Sequence, residues 1–326
     1  MNGGTTTAID SRYVHHPVMV AEVVEQLSTV PSGVFLDATV GGGGHARALL
    51  NARPDLSLVG LDRDPSAVEA ATISLAGRGA VIHRARFSEL GDVLDTLGVS
   101  ALAGSLFDFG VSSPQLDQPQ RGFSYRADGP LDMRMDPGQR LCADEVVNEW
   151  PIAELTRILR DYGDERHARR IASAIEAARP LASTAALAAA VREAIPAPAR
   201  RRGGHPAKRT FQAVRIAVND ELRQIEPALE AAIDRTVPGG RGVVLSYHSG
   251  EDRIAKRVLR RRAGLSDESR FRGLPRSPSQ PRPDIELVPR SSRRPSPAEA
   301  ADNPRASSAR FRGFRKLGDG QAEGVA

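Results

Sequence analysis

The sequence is poor in cysteine, in aromatic residues and in long apolar runs. Its 326 residues include one cysteine, Cys142, so an internal disulfide and a cysteine-type zinc site are both excluded. Aromatic residues make up 4% of the chain against 40% for all hydrophobic residues, so we expect a mainly aliphatic core. No stretch approaches the ~18 apolar residues of a membrane span, and the polar first residues lack a signal core. We therefore expect a cytoplasmic protein that does not enter a membrane.

Lysine is scarce as well, since Lys208, Lys256 and Lys316 are the only three lysines among 45 basic residues. Charge is also distributed unevenly along the chain. Residues 253–316 contain 18 Lys and Arg against 6 Asp and Glu, a balance of +12 in a chain whose total is +5, which leaves −7 for the remainder. Such a basic stretch favours a polyanionic partner such as nucleic acid, with a solvated tail as the alternative. We expect its Arg-, Pro- and Ser-rich part, residues 265–302, to be flexible.

Four consecutive glycines, residues 41–44, form the most informative motif of the chain. They follow a short apolar run at 33–38, and a second apolar run at 56–61 ends at Asp62, 21 residues after Gly41. The order strand, glycine turn, helix, strand, acid is typical of α/β sheets that bind an adenosine-type cofactor. Glycines let the backbone approach the ligand, and the acid accepts hydrogen bonds from ribose hydroxyls. The turn alone is compatible with NAD, FAD or S-adenosylmethionine.

The residues around this turn favour S-adenosylmethionine. A nicotinamide enzyme normally has the pattern G-x-G-x-x-G, whereas here four glycines run directly into His45. Asp37 stands four residues before the first glycine. A carboxylate at the end of the first strand would repel a pyrophosphate but suits the cationic amino group of S-adenosylmethionine. A turn-capping role for Asp37 is the alternative.

A second motif, Asp108 followed by Ser113-Pro114, lies at the carboxyl end of a predicted fourth strand, the edge at which open α/β sheets bind their ligands. The exocyclic amine of cytosine or adenine is a poor nucleophile because its lone pair is delocalised into the ring. Acceptors aimed at its N–H bonds stabilise the charge that develops as it attacks a methyl group. Carbon-5 methylation requires a cysteine nucleophile, and Cys142 lies outside this loop. The motif therefore favours amine methylation, with Asp108, Ser113 and Pro114 as candidate catalytic residues.

Apolar periodicity predicts an α/β fold whose strands alternate with helices up to residue 109, which is typical of a mostly parallel sheet with helices on both faces. The strands are predicted at 33–39, 56–62, 80–86, 102–109, 242–246 and 308–317, the last of them at the sheet edge. Further helices are predicted at 144–160, 164–178, 184–194 and 206–233, with a linker at 195–204. We therefore predict a discontinuous methyltransferase domain, 1–115 and 206–326, and an all-helical substrate-recognition insertion, 116–205.

Longer motifs make the chain recognisable beyond these local patterns. They lie at residues 16–18, 39–45, 61–65, 110–117, 121–125, 128–135, 205–207, 209–213, 246–249, 251–254 and 303–306. With these motifs the chain resembles the ribosomal small-subunit methyltransferase H family, also called MraW, over nearly its whole length. It departs from the family pattern in Phe107 and Phe109, where leucine is usual, and in Tyr247 and Gly250, where Phe and Leu are usual.

The resemblance implies a class I, Rossmann-like fold that uses S-adenosylmethionine to methylate N4 of a cytosine in the decoding region of 16S rRNA. It also implies cofactor contacts at Gly43, Gly44, His45, Asp62, Phe87, Asp108 and Gln115. The partner is then 16S rRNA or the small ribosomal subunit. The oligomeric state stays open, with a dimer as one option.

Four further features carry weaker expectations. His248 follows the predicted fifth strand and is a candidate for contact with the base, with a structural hydrogen bond as the alternative. Arg209 and Arg215 are candidates for contact with rRNA phosphates, with surface salt bridges as the alternative. The three acids of residues 128–136 could bind Mg²⁺, but a salt-bridged loop that shapes the base pocket is favoured. We expect no metal site.

The sequence therefore predicts an rRNA cytosine-N4 methyltransferase that takes an unstacked base into its pocket. Two alternatives stay open. A DNA amino-methyltransferase would act on naked duplex DNA, and a non-catalytic ribosome-assembly factor would tolerate the loss of Asp108 and Gln115. A nicotinamide dehydrogenase ranks last, because the sequence shows no hydride-transfer constellation.

Overall fold

A seven-stranded sheet forms the centre of the computed structural model, which describes residues 17–200, 205–265 and 282–318. Its strands are β1 (Gly33–Asp37), β2 (Leu56–Asp62), β3 (Ala80–Arg84), β4 (Leu102–Asp108), β5 (Thr236–Ser246), β6 (Ile285–Leu287) and β7 (Arg310–Lys316). They are arranged in the order β3-β2-β1-β4-β5-β7-β6. The first five strands are parallel, and β7 pairs antiparallel with β5 and with β6. The predicted α/β fold is confirmed.

Helices connect the strands and form the inserted region. They are α1 (Val20–Leu27), α2 (Gly44–Ala52), α3 (Pro65–Ser74), α4 (Leu90–Thr96), α5 (Ser113–Asp117), α6 (Ala143–Asn148), α7 (Ile152–Asp161), α8 (Ala168–Ala177), α9 (Thr184–Ala194), α10 (Ala197–Arg200), α11 (Lys208–Asn219), α12 (Glu221–Arg235), α13 (Ser249–Arg262) and α14 (Pro297–Asp302). None of the described helices combines the length and the apolar character that crossing a membrane requires.

The sheet is covered on both faces, and successive strand residues point into opposite layers. Phe35 and Leu58 pack in the layer shared with α1, α2 and α3. The next residues along each strand, Leu36 and Val59, pack with α4, α12 and α13. All four side chains are at most 4% exposed. Burial of both faces explains why the strands are almost continuously apolar in sequence.

The inserted region has an apolar core of its own. This core is formed by α6 to α9 together with α11, whose Phe211 and Val214 are 3% and 0% exposed. Helix α11 lies beyond residue 206, in the segment that the sequence pattern assigns to the methyltransferase domain. It therefore links the insertion to the part of the chain built on the sheet.

The prediction of two continuous helices is wrong, because the structure divides each of them into two. Over 144–160, α6 ends at Asn148 and α7 follows Pro151, which lacks the amide hydrogen of an uninterrupted helix and disfavours helical geometry at the residue before it. Over 206–233, Asp220 separates α11 from α12 with φ of 49°. Aspartate tolerates this left-handed conformation better than most residues.

The C-terminal strand is confirmed, but β6 pairs with its outer side, so β7 lies inside the sheet rather than at its edge. Helix α10 lies within the predicted linker 195–204, whose last four residues are outside the described part. Of the segment 265–302, residues 266–281 are also outside the described part. The remainder of that segment contains β6 and α14, both with defined secondary structure.

Candidate active site

An open cleft lies at the carboxyl ends of β1, β2 and β4. The order β2-β1-β4 makes this the switch point of the sheet, where connections leave neighbouring strands in opposite directions and open a crevice. Six of the seven residues predicted to contact the cofactor line this cleft, namely Gly44, His45, Asp62, Phe87, Asp108 and Gln115. The fold therefore brings together residues that are up to 71 positions apart in the sequence.

The backbone conformation of the glycine turn depends on residues without a side chain. Gly41 has φ of 52° and Gly43 has φ of 79°, and both angles lie in the left-handed region that favours glycine. Gly43 precedes α2 and is not part of the cleft wall, so its contribution is to the path of the backbone. At Gly44 a Cβ atom would lie 2.3 Å from Cγ of Pro17, so the first turn of α2 can lie this close to the preceding segment only with glycine.

Asp62 closes the turn from the neighbouring strand. Its Oδ2 accepts a hydrogen bond from the amide of Gly41 at 3.0 Å, and its Oδ1 accepts one from the amide of Asp64 at 2.9 Å. A carboxylate offers about four lone-pair sites, so ligand hydroxyls can still donate to it. Burial raises the pKa of Asp62 to about 6. The group is therefore mainly ionised at neutral pH and suited to bind a ribose diol.

Asp108 is fixed in orientation at the end of β4. Its Oδ1 accepts a hydrogen bond from the hydroxyl of Tyr247 at 2.7 Å, and its amide donates to Oγ1 of Thr39 at 2.7 Å. Burial, together with the nearby charge of Asp108, raises the pKa of Tyr247 well above its ordinary value, so the hydroxyl keeps its proton and remains a donor. The Asp108 side chain is 14% exposed and faces the cleft.

His45 is a neutral neighbour of this carboxylate. Its Nε2 lies 2.8 Å from the carbonyl oxygen of Val18, which can only accept, so Nε2 carries the proton. Burial lowers the pKa of His45 to about 4, so the ring is uncharged at neutral pH. Its unprotonated Nδ1 lies 3.6 Å from Oδ2 of Asp108. His45 therefore packs beside Asp108 without donating a proton to it.

Gln115 ties α5 to the end of β2. Its Oε1 accepts from the amide of Ser112 at 3.1 Å, and its Nε2 donates to Oδ2 of Asp64 at 2.9 Å. Nη1 of Arg121 lies 2.9 Å from the same oxygen. Asp64 also caps α3 through the amide of Ser66 at 3.1 Å, as its position before Pro65 predicts. The additional link to Gln115 and Arg121 was missed, since these residues meet only in the folded chain.

Ser113 and Pro114 begin α5, and both are buried. Neither lines the cofactor cleft, and Ser113 lines a neighbouring groove instead. Proline at an early helical position fixes the backbone angle there. The two residues thus fix the start of α5, and a catalytic role for them stays a prediction.

Phe87 lines the cleft as part of an aromatic cluster. Its ring centroid lies 6.5 Å from that of Phe107 and 5.5 Å from that of Phe109. Phe107 and Phe109 are 0% and 5% exposed, whereas Phe87 is only half-buried. Phe87 is thus anchored by its neighbours and keeps part of its surface for a ligand. Contact with adenine stays a prediction.

His248 occupies the N-cap of α13. Its Nδ1 accepts a hydrogen bond from the amide of Gly250 at 3.2 Å, and its Nε2 lies 3.1 Å from Oε1 of Glu251. His248 does not line the cleft or the neighbouring groove. These contacts favour a structural role, and contact with the base stays a prediction.

The two arginines predicted to bind phosphate differ in their surroundings. Arg215 donates two hydrogen bonds of 2.8 Å to the carboxylate of Glu221 and lies 3.9 Å from Glu251. Its side chain is only 14% exposed, so its charge is balanced within the protein. Arg209 is exposed and donates to the carbonyl oxygen of Asp164 at 3.1 Å. A phosphate contact therefore suits Arg209 better than Arg215.

The three acids of residues 128–136 all have protein partners. Their hydrogen bonds join Asp128 to the Ala185 amide, Asp132 to Arg134 and Asp136 to Arg84. In the part of the chain that the structure describes, no group of three or more His, Cys, Asp or Glu side chains could hold a metal ion. The salt-bridged loop, the favoured alternative at the sequence level, matches these contacts.

Asp37 lies behind the cleft rather than in its wall, and it is 1% exposed. Its Oδ1 accepts from the amide of Thr39 at 3.2 Å, which is the turn-capping alternative. Burial raises the pKa of Asp37 to about 8, with a contribution from the nearby charges of Asp108 and Asp62. Asp37 is therefore mainly protonated at pH 7 and offers little negative charge to a cationic ligand.

The substitution Asp37→Asn is expected to stabilise the protein at alkaline pH. The folded-state pKa of about 8 lies above the ordinary value of 3.8, so the folded protein binds the proton more tightly than the unfolded chain. The free energy of unfolding therefore decreases as the pH rises between these two values. Asparagine keeps the acceptor for Thr39 and does not ionise. We expect the advantage of the variant over the wild type to be larger at pH 8 than at pH 5 by about 3–4 kcal/mol. Urea unfolding at both pH values measures this, with the exposed Asp92→Asn as control, and an equal gain at both would contradict it.

The donor set of the cleft fits an adenosine-type cofactor. The glycine turn leaves space beside the backbone, Asp62 offers acceptors to a diol, and Phe87 offers an aromatic surface. In a doubly wound sheet this arrangement defines a class I S-adenosylmethionine-dependent methyltransferase. The chain belongs to the MraW methylase family, whose sequence profile matches residues 12–317.

Individual relatives agree with this membership. The chain is 52% identical over 307 residues to a protein of Thermobifida fusca, covering 91% of this chain and 92% of the relative. It is 50% identical over 327 residues to a protein of Acidothermus cellulolyticus, covering 98% of both. Both proteins are named ribosomal RNA small subunit methyltransferase H. The resemblance inferred from the motifs is thereby confirmed.

Solved structures show a more distant similarity. An rRNA methylase from Streptococcus thermophilus matches with a TM-score of 0.39 and 11% identity, covering 93% of this chain and 99% of that one. The O-methyltransferase TomG from Streptomyces achromogenes, solved with S-adenosylmethionine, matches with a TM-score of 0.41 and 12% identity, covering 92% and 79%. The fold assignment therefore stands on the strand order itself.

Proposed function

We propose that this methyltransferase modifies the exocyclic N4 of a cytosine in 16S rRNA. The proposal depends on Asp108, whose carboxylate faces the cleft at the end of β4 and is oriented by the hydroxyl of Tyr247 at 2.7 Å. The names of the relatives support small-subunit rRNA as the substrate. The motif of Asp108 with Ser113-Pro114 supports an amine as the acceptor of the methyl group.

In this proposal, four of the predicted cofactor residues have separate binding tasks. Asp62 accepts hydrogen bonds from the ribose hydroxyls, Phe87 packs beside the adenine, and the start of α2 at Gly44 supplies backbone amides. When bound, S-adenosylmethionine supplies an electrophilic methyl group on a sulfonium. Gln115, held by Asp64, lines the same cleft as the glycine turn. Each of these assignments can be tested by calorimetry with the isolated protein.

Asp108 orients the amine in this proposal. Its carboxylate accepts a hydrogen bond from an N–H of the base and stabilises positive charge that develops on nitrogen. Holding the nitrogen in line with the methyl group is the second contribution, since near-attack placement lowers the barrier. His45 is neutral and donates to Val18, so it does not compete for the amine. A strong general base is unnecessary, because the methylated nitrogen loses its proton readily.

Methyl transfer to ribosomal subunits tests the function directly. Labelled S-adenosylmethionine is incubated with purified small subunits that lack base modifications, and the product nucleosides are identified. We expect N4-methylcytidine from the wild type and none from Asp108→Ala. Cofactor binding without any product would favour a non-catalytic assembly factor, and methylation of naked duplex DNA would favour a DNA amino-methyltransferase.

Cofactor affinity is expected to decrease as the pH falls from 7 to 5. Asp62 has a pKa of about 6 and loses its negative charge, and with it part of its acceptor capacity, in this window. Asp37, with a pKa of about 8, and His45, with a pKa of about 4, keep their predominant protonation states. We expect about a tenfold loss of affinity for S-adenosylmethionine by calorimetry. Asp62→Asn is expected to bind weakly at both pH values, and an unchanged pH dependence in that variant would exclude Asp62 as its cause.

A further inference from the structure

A second groove lies beside the cofactor cleft. Val111, in the segment between β4 and α5, lines both the cleft and the groove, so the two are directly adjacent. The groove is bounded by α5, by residues 123–127, by α11 and by residues 302–305. It thus lies between the helical insertion and the C-terminal segment of the chain. A strand in this groove would lead directly to the Asp108 edge of the sheet.

An aromatic stack stands in the groove wall. Tyr125 lines the groove and stacks on the imidazole of His205, with ring centroids 4.4 Å apart and an angle of 15° between the planes. Phe211 contacts the Tyr125 ring edge-on, with centroids 5.7 Å apart and an angle of 83°. The tyrosine is therefore held by two neighbours, yet it remains only half-buried. Rigid, partly exposed aromatic rings of this kind are the platforms on which unpaired bases stack.

Cationic side chains surround the stack. Arg126 and Lys208 line the groove, and both are exposed. Burial lowers the pKa of the His205 imidazole, and the nearby positive charges of Arg126 and Arg192 lower it further. Within the described residues, none of these three cations forms an ion pair. Their charge is therefore available to a polyanion.

The acids of the groove belong to α5 and to the C-terminal segment. Asp117 is paired with Arg305, and Glu299 accepts from the amide of Met19. Asp302 is the remaining carboxylate of the lining. The groove thus carries cations and aromatic rings at residues 125–126 and on α11, whereas the carboxylates of Glu299 and Asp302 lie on the C-terminal segment. This separation suits a strand whose phosphates and bases face different surfaces.

We propose that this groove binds the single-stranded RNA next to the target cytosine, with a base on Tyr125 and phosphates at Arg126, Arg192 and Lys208. The proposal rests on the proposed function, because it takes RNA as the substrate. It adds the residues that hold the strand outside the reaction cleft. The insertion and the C-terminal segment then act together on the substrate, although they are far apart in the sequence.

Binding of a fluorescein-labelled single-stranded oligoribonucleotide, measured by anisotropy over a range of salt concentrations, tests the groove. The variant Arg126→Ala/Lys208→Ala is expected to reduce the slope of log affinity against log salt by about 1.4, since each phosphate contact on a single strand contributes ~0.7. Tyr125→Leu is expected to weaken binding about tenfold, whereas Tyr125→Phe, which keeps the ring, should stay within about twofold of the wild type.

The matched control is Arg169→Ala/Arg170→Ala, which removes the same charge from exposed positions on α8 outside the groove. An equal change of slope in the control would show that only net charge matters and would overturn the proposal. Groove variants that bind the oligoribonucleotide as tightly as the wild type but methylate whole subunits more slowly would also overturn the proposal. In that case the groove would contact a ribosomal protein instead. Failure of the wild type to methylate any RNA would instead count against the proposed function, and calorimetry with S-adenosylmethionine verifies that each variant is folded.

Discussion

The substitution Asp108→Asn is expected to lower the rate of methyl transfer by about 10²–10³-fold. In the proposed function the carboxylate accepts a hydrogen bond from the amine, whereas an amide in its place would present a donor to either the amine or the Tyr247 hydroxyl. The fold should persist, because the contact of Asp108 with Thr39 is made by the backbone amide. Single-turnover methylation of small subunits measures the rate, and calorimetry measures cofactor binding separately.

Tyr247→Phe provides the comparison for this result. It removes the hydroxyl that orients Oδ1 of Asp108 but leaves the carboxylate and the aromatic packing in place. We expect a loss of about tenfold or less, since one positioning hydrogen bond is weaker than the group it positions. An Asp108→Asn enzyme that retained more than a tenth of the wild-type rate would contradict the assignment of Asp108 to the amine.

The substitution Arg215→Ala is expected to cost about 3 kcal/mol of folding free energy. Arg215 balances Glu221, and it lies 3.9 Å from Glu251, which is 1% exposed. Removing the guanidinium leaves these carboxylates without their cation in a setting of low dielectric constant. Urea unfolding at neutral pH measures the loss, and Arg215→Lys should recover part of it.

Arg209→Ala is the matched control on the same helix. Arg209 is exposed and makes one hydrogen bond, to the carbonyl oxygen of Asp164, so we expect a stability change below about 0.5 kcal/mol. RNA affinity distinguishes the two arginines further. If Arg215→Ala folds with wild-type stability but binds RNA less tightly, the ion pair is not structural and Arg215 contacts phosphate.

The cofactor half of the site could be predicted from sequence because it is built from local signals. The glycine turn and Asp62 belong to consecutive strands, and the spacing of 21 residues between Gly41 and Asp62 follows from one helical crossover. In the structure this spacing lets the amide of Gly41 donate a hydrogen bond of 3.0 Å to Oδ2 of Asp62. The strand-like run at 308–317 was also recognised, although the two buried phenylalanines of β7, Phe311 and Phe314, do not alternate strictly.

The contacts of Asp108 and Arg215 could not be predicted in the same way, because they join distant elements. Tyr247 meets Asp108 across 139 positions, and neither residue type indicates the partner. The sequence suggested that Arg215 was free to bind phosphate. Its ion pairs could not be foreseen, because they depend on the break between α11 and α12 at Asp220. The signal for that bend, two successive turn-favouring residues at Asn219 and Asp220, was present but competed with a strong helical pattern.

The insertion of β7 between β5 and β6 has a consequence for synthesis. Strand β5 is translated more than sixty residues before β7, so the outer edge of β5 stays unpaired while the intervening chain emerges. An unpaired strand edge is a template for intermolecular pairing. Chains released by ribosomes that stall in this interval would therefore have an unpaired β5 edge that can pair with another chain. The packing behind Tyr247 would also be incomplete. Once β7 pairs with β5 and β6, this edge is covered within the protein itself.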